Sequence, residues 1–234
     1  MIVRPATILA LLSAACGGQR GQAAPADQRT AGADSAPAAT PAPAPDTRPS
    51  IVFLGTSLTA GLGLSDPSLA YPALIQAKLD SAGRRFRVVN AGISGESSAG
   101  ALARMDWLMK QGTVAVLVIE TGANDGLRGQ DPDSVRARIQ AIIDRARRAT
   151  PPPSIVIVGM EAMPNLGATY VRRFREIYPE LARANHAVLV PFLLAGVAGV
   201  DSLNQDDGIH PTAAGHRIVA GNVWRVLERV TRNR

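Results

Sequence analysis

Residues 55–63 read GTSLTAGLG and follow directly on the apolar run 51–54. They place Ser57 at the mouth of a first predicted strand. Far downstream, residues 206–211 read DDGIHP, with Asp207 three residues before His210. A serine hydroxyl is a weak nucleophile until a base takes its proton, and the base needs a carboxylate to orient it. These residues are therefore the parts of an acyl-transfer centre. Ser57 is the candidate nucleophile, His210 the candidate base and Asp207 its orienting acid, with Asp206 the rival carboxylate. Each also has a plainer reading: Ser57 as a helix N-cap, and the two aspartates as a solvated turn. Of the other histidines, His186 falls near a helix end and reads as a surface or capping residue. His216 falls inside the last helix and reads as structural.

Two further pieces lie between these ends, NAGISGESS at 90–98 and ETGANDG at 120–126. Attack on an acyl carbonyl puts negative charge on its oxygen, and fixed N–H donors stabilise that charge. Gly95 can offer a backbone N–H with no side chain in the way, and Asn124 a side-chain amide. The string Asn124-Asp125-Gly126 is also a strong turn former.

These residues need a scaffold that gathers them. Five apolar, β-branched runs lack polar alternation and predict buried parallel strands over 51–55, 87–91, 114–120, 155–159 and 188–192. Helical periodicity fills the gaps, over 70–81, 98–110, 132–148, 169–184 and from 211 to about 230, the last with Pro211 at its first position. Strand and helix alternate throughout, which predicts a doubly wound α/β sandwich. In such a sheet, ligands bind outside the carboxyl ends of the strands. Ser57, Gly95, Asn124 and the Asp207–His210 loop each follow a predicted strand, so all four groups should meet on one edge.

The chain has 234 residues, a net charge of +6 and one cysteine. The charge does not indicate nucleic acid. Lys78 and Lys110 are the two lysines, and the arginines lie along helix faces among Asp and Glu. No zinc spacing, phosphate loop or base-stacking motif accompanies them. A lone cysteine excludes an intrachain disulfide. Residues 1–15 have the make-up of a secretory signal, too short to span a bilayer. Cys16 follows at once and is a candidate for lipidation. The aliphatic residue that such a motif wants three places earlier is absent, since Ser13 stands there and Leu12 one place before it. Residues 16–49 are rich in Ala and Pro, with almost no large apolar side chain, and read as a disordered tether. Residues 50–234 then form one domain, exported and held in the cell envelope by a lipid anchor facing the periplasm.

Four blocks in order resemble the SGNH (GDSL) hydrolase family: GTSL with Ser57, NAGISG with Gly95, GAND with Asn124 and DGIHP with Asp207 and His210. The strings VNAGISGESSAGALARM, LVIETGANDGLRG, FREIYPELA and QDDGIHPTAAGH are especially similar to its periplasmic thioesterase I, arylesterase and lysophospholipase group. The resemblance implies a flavodoxin-like three-layer α/β/α sandwich with a five-stranded parallel sheet. It implies a Ser57–His210–Asp207 triad and an oxyanion hole of Ser57, Gly95 and Asn124. It implies no metal or cofactor. The expected substrates are aryl or fatty acyl esters, thioesters or lysophospholipids, and the expected state is a monomer. A carbohydrate O-acetyl esterase of the same family, or a ligand-binding surface lipoprotein without activity, are the alternatives. The chain departs from the family at position 56, where Thr replaces the usual Asp and so alters the hydrogen bonds that set the serine's turn.

Overall fold

The computed structural model describes residues 46–232. The predicted signal segment, Cys16 and most of the predicted tether lie outside the described residues. Contacts with the sheet begin slightly before residue 50: Arg48 donates to Phe86 O, and Arg87 N–H donates to Pro49 O.

Five strands form one parallel sheet: β1 (Ser50–Gly55), β2 (Arg87–Gly92), β3 (Val114–Ile119), β4 (Ser154–Val158) and β5 (Val188–Val190). Their spatial order is β2-β1-β3-β4-β5, all neighbours parallel. This is the flavodoxin-like order, with its switch point between β1 and β3. Every residue of β1 and β3 is buried, because both faces of the central strands are covered. β2 differs from the expectation of a buried strand. It has β1 on one side only, and its residues are half-buried or exposed.

The helices are α1 (Ser57–Ala60), α2 (Tyr71–Ser81), α3 (Ser98–Ala103), α4 (Met105–Leu108), α5 (Ala123–Leu127), α6 (Pro132–Arg147), α7 (Ala168–Ala184) and α8 (Ala213–Arg232). They pack in two groups, α2 against α8 and α3 against α6 against α7. The amphipathic faces read from the sequence point inward. Val135, Ile139, Ile142 and Ile143 of α6 and Phe174, Ile177 and Leu181 of α7 are fully or almost fully buried. Burial on this scale contributes roughly 1.5–3 kcal/mol per large apolar side chain.

Two helices depart from the sequence reading. The segment 98–110 is not one helix: it breaks at Arg104, whose backbone bridges α3 and α4 while its side chain reaches back to Glu96 and Ala91 O. Pro211 is not the first residue of α8. It pairs with Asn204 in an isolated bridge, and Thr212 Oγ1 accepts from Gly215 N–H to start the helix two residues later.

Candidate active site

The register brings the carboxyl ends of β1, β2 and β3 level. Gly55 lies beside Gly92, and Leu54 beside Ile119. The chain leaves β1 through Thr56 and enters α1 at once, so Ser57 is the first helical residue and Thr56 the N-cap. The N-cap reading of Ser57 is thereby set aside. Gly92 makes this packing possible, because a Cβ there would come within 2.3 Å of Ala60 N. α1 therefore rests directly on the end of β2. Gly61 then closes α1 in the left-handed conformation, at φ 79°, which Gly adopts without a Cβ penalty.

His210 arrives from the loop before α8. Its Nε2 lies 2.9 Å from Ser57 Oγ, and its Nδ1 lies 2.6 Å from Asp207 Oδ2. Asp207, and not Asp206, holds the ring. Its other oxygen accepts the backbone N–H groups of Ile209 and His210, each at 3.0 Å. The bond with the His210 ring and these two N–H groups hold the Asp207 carboxyl down to about 2, so it is ionised at neutral pH. With Nδ1–H donating to that carboxylate, Nε2 carries the lone pair that faces the serine hydroxyl. His186 is exposed just past α7, at φ 47°. His216 is buried in α8, stacks on Tyr71 and accepts the Tyr71 N–H on Nδ1. Neither joins the site, in keeping with their structural readings.

Gly95 and Asn124 come from the loops after β2 and β3. Asn124 Nδ2 donates to Glu96 O at 3.0 Å, which uses one amide hydrogen and leaves the other for the cleft. Among the described residues, the N–H groups of Ser57 and Gly95 donate to no protein acceptor. One buried contact ties the two loops together, and an ion pair braces the first of them. Asp125 accepts Ser98 N–H at 2.7 Å and its hydroxyl at 2.8 Å, and Arg104 pairs with Glu96 at 2.6 Å.

Sequence reasoning missed several supporting residues. Gln205 donates from Nε2 to Leu62 O and Pro211 O, tying the His210 loop to the segment after α1. Asp125 ties the two donor loops together, and Arg104 braces Glu96 within the first. All three lie inside strings quoted from the sequence, which assigned them no role. Glu120, read only as the end of a strand, is fully buried behind Thr56.

Ser57, His210, Gly95 and Asn124 line one cleft of about 310 Å³, walled by Leu58, Leu62, Leu127, Met160, Met163 and Ile209. Leu62, Leu127, Met163 and Ile209 are each more than a third exposed and form an apolar rim. A larger recess of about 470 Å³ runs along β2 between Arg87 and Trp107. It brings together no nucleophile and base, so the smaller cleft is the candidate site. Among the described residues there is no cluster of His, Cys, Asp and Glu suited to a metal ion.

The model of the GDSL-like lipase/acylhydrolase family matches residues 53–218. The chain belongs to this family. It is 39% identical over 178 residues to esterase TesA of Pseudomonas aeruginosa, covering 76% of this chain and 87% of that protein. It is 37% identical over 178 residues to thioesterase 1/protease 1/lysophospholipase L1 of Escherichia coli, covering 76% of this chain and 83% of that protein. A crystal structure of TesA superposes with a TM-score of 0.73 at 39% identity, covering 77% of this chain and 99% of that one. The structure of AlinE4, an SGNH-hydrolase family esterase, gives a TM-score of 0.65 at 37% identity, covering 78% and 96%. This SGNH hydrolase is accordingly a carboxylic ester hydrolase with the fold that its sequence predicted.

Proposed function

We propose that this SGNH hydrolase cleaves aryl or fatty acyl esters and thioesters through an acyl-enzyme on Ser57. The observation that carries the proposal is the hydrogen-bonded line from Asp207 through His210 to Ser57, opening into an apolar cleft. Ser57 Oγ attacks the acyl carbonyl while His210 Nε2 takes the hydroxyl proton. Asp207 holds the ring in the required tautomer and stabilises the imidazolium. The oxygen of the tetrahedral intermediate takes hydrogen bonds from the N–H groups of Ser57 and Gly95 and the free amide hydrogen of Asn124. His210 then returns the proton to the leaving oxygen or sulfur as the acyl bond breaks. Water attacks the acyl-enzyme by the same route, giving its proton to His210, which passes it to Ser57 Oγ as the acid departs.

The apolar wall and rim favour an aryl or fatty acyl group over the acetylated sugar considered from sequence. We further propose that the chain is exported and anchored by lipid on Cys16, with residues 17–45 as a spacer. The support is the apolar run before a lone cysteine and the Ala/Pro-rich stretch after it.

The deciding experiment is covalent labelling with a fluorophosphonate, alongside hydrolysis of nitrophenyl esters of graded chain length. Wild type should be labelled on Ser57 alone and should turn over the longer esters. Ser57→Ala should lose labelling and turnover and keep its melting temperature. Labelling of another serine, or full turnover by Ser57→Ala, overturns the mechanism.

A further inference from the structure

Glu120 is the first residue past β3 and has no exposure to solvent. It does not line the cleft, yet every partner of its carboxyl belongs to the turn that carries Ser57. Its Oε2 accepts the Thr56 N–H at 2.8 Å and the Thr59 hydroxyl at 2.8 Å. Its Oε1 faces the Thr56 hydroxyl at 3.0 Å. Since the Thr59 hydroxyl hydrogen is committed to Glu120, the Tyr71 hydroxyl 2.6 Å away donates to Thr59 Oγ1. Gly55 leaves the room for this cluster. A Cβ at that position would lie 2.0 Å from Thr59 Oγ1 and 2.8 Å from Glu120 Oε2.

Burying a carboxyl is expensive, and an apolar side chain of similar volume would fill the space more cheaply for the fold alone. Thr56 is equally telling. It occupies the N-cap of α1, but its hydroxyl does not cap that helix and turns to Glu120. We propose that Glu120 is a positioning residue: it grips the chain on both sides of Ser57, at Thr56 and Thr59, and so fixes Ser57 Oγ within reach of His210 Nε2.

The chemistry of the clamp explains why a threonine serves where the family pattern has aspartate. Burial pushes the Glu120 carboxyl up to about 7, so both of its forms occur near neutrality. As a carboxylate, Glu120 accepts from all three donors. Protonated on Oε1, it donates to Thr56 Oγ1 and still accepts on Oε2 from the Thr56 N–H and the Thr59 hydroxyl. A hydroxyl can take either role, so the turn keeps its shape through the titration.

This inference rests on Ser57 as nucleophile, which the Ser57→Ala labelling experiment tests separately. Four variants of the full chain test the clamp by kcat, KM, the rate of fluorophosphonate labelling and melting temperature. Glu120→Met removes every acceptor at nearly constant volume. It should lower kcat and the labelling rate about 100-fold, the scale of a misplaced reacting group, with KM within about twofold. Glu120→Gln imitates the protonated form and should stay within about threefold of wild type. Thr56→Val, which keeps the backbone bond and loses the hydroxyl, should fall about 10-fold, and Thr56→Ser should not. Wild-type labelling by both Glu120→Met and Thr56→Val overturns the proposal. A loss confined to KM, or one accounted for by the unfolded fraction, overturns it equally. Should Glu120→Met fail to fold, the Thr56→Val and Thr56→Ser pair decides by itself.

Discussion

In the proposed mechanism Asn124 divides its amide between two tasks. One hydrogen is fastened to Glu96 O at 3.0 Å, which fixes the orientation of the group. The second is aimed by that bond and needs no reorganisation when charge develops on a substrate oxygen. Asn124→Ala should therefore lower kcat by roughly 100- to 1000-fold with a smaller change in KM. Steady-state kinetics on a nitrophenyl ester measure this, and a change in KM alone would reduce Asn124 to a substrate contact. Residues of this kind were readable because their types carry the chemistry and their loops follow strands. Ser57, Asp207, His210, Gly95 and Asn124 all lie together as expected. Glu120 and Gln205 were not readable as participants. Each acts through partners more than 60 residues away in the chain, Thr56 for one and Leu62 for the other, and no local pattern signals such a pairing.

At the level of elements, Tyr71 at the start of α2 joins two buried titratable groups. Its N–H donates to His216 on α8, and its hydroxyl reaches Glu120 through Thr59. Burial moves the two groups in opposite directions: Glu120 is raised from 4.5 to about 7, and His216 is lowered from 6.5 to about 4. Between pH 4.5 and 7 the unfolded chain releases the Glu120 proton while the folded protein keeps it, so Glu120 makes stability fall as pH rises. Between pH 4 and 6.5 the unfolded chain holds a proton on His216 that the folded protein has lost, so His216 makes stability rise. The two slopes oppose each other. In denaturant titrations over this range, the stability of wild type minus that of Glu120→Gln should fall by about 3 kcal/mol from pH 4.5 to 7 and then level off. A difference independent of pH would mean that Glu120 does not titrate in this window. The strands were legible in the sequence from their apolar runs, and α6 and α7 from their periodicity. What the sequence could not show was neighbourhood. β2 resembles the other strands in composition, yet it stands at the edge. The break falls at Arg104, whose side chain bonds Glu96 and Ala91 O, and no proline marks it in the sequence.

For the whole molecule, the described residues contain every group of the proposed mechanism, and none of their helices is long and apolar enough to cross a membrane. The proposed attachment is the lipid at Cys16. Each buried CH₂ of an acyl chain contributes about 0.8 kcal/mol, and more than one chain gives stable anchoring. Full-length protein should fractionate with membranes, and Cys16→Ser should shift it to the soluble fraction or block its processing. A wholly soluble wild type whose mature N-terminus lies at another residue would remove the anchor. β2 has a further consequence for the protein in a crowded compartment. An open strand edge is a template on which another chain can add itself, and proteins that leave such edges bare tend to aggregate. Here the molecule's own side chains occupy that edge. Gln76 accepts the Val88 N–H at 2.7 Å and Asn90 accepts the Gly92 N–H at 3.0 Å. Asn90, whose Nδ2 donates to Thr59 O of α1 at 2.8 Å, thus guards the sheet against a sixth strand with the same amide that steadies the helix opened by Ser57.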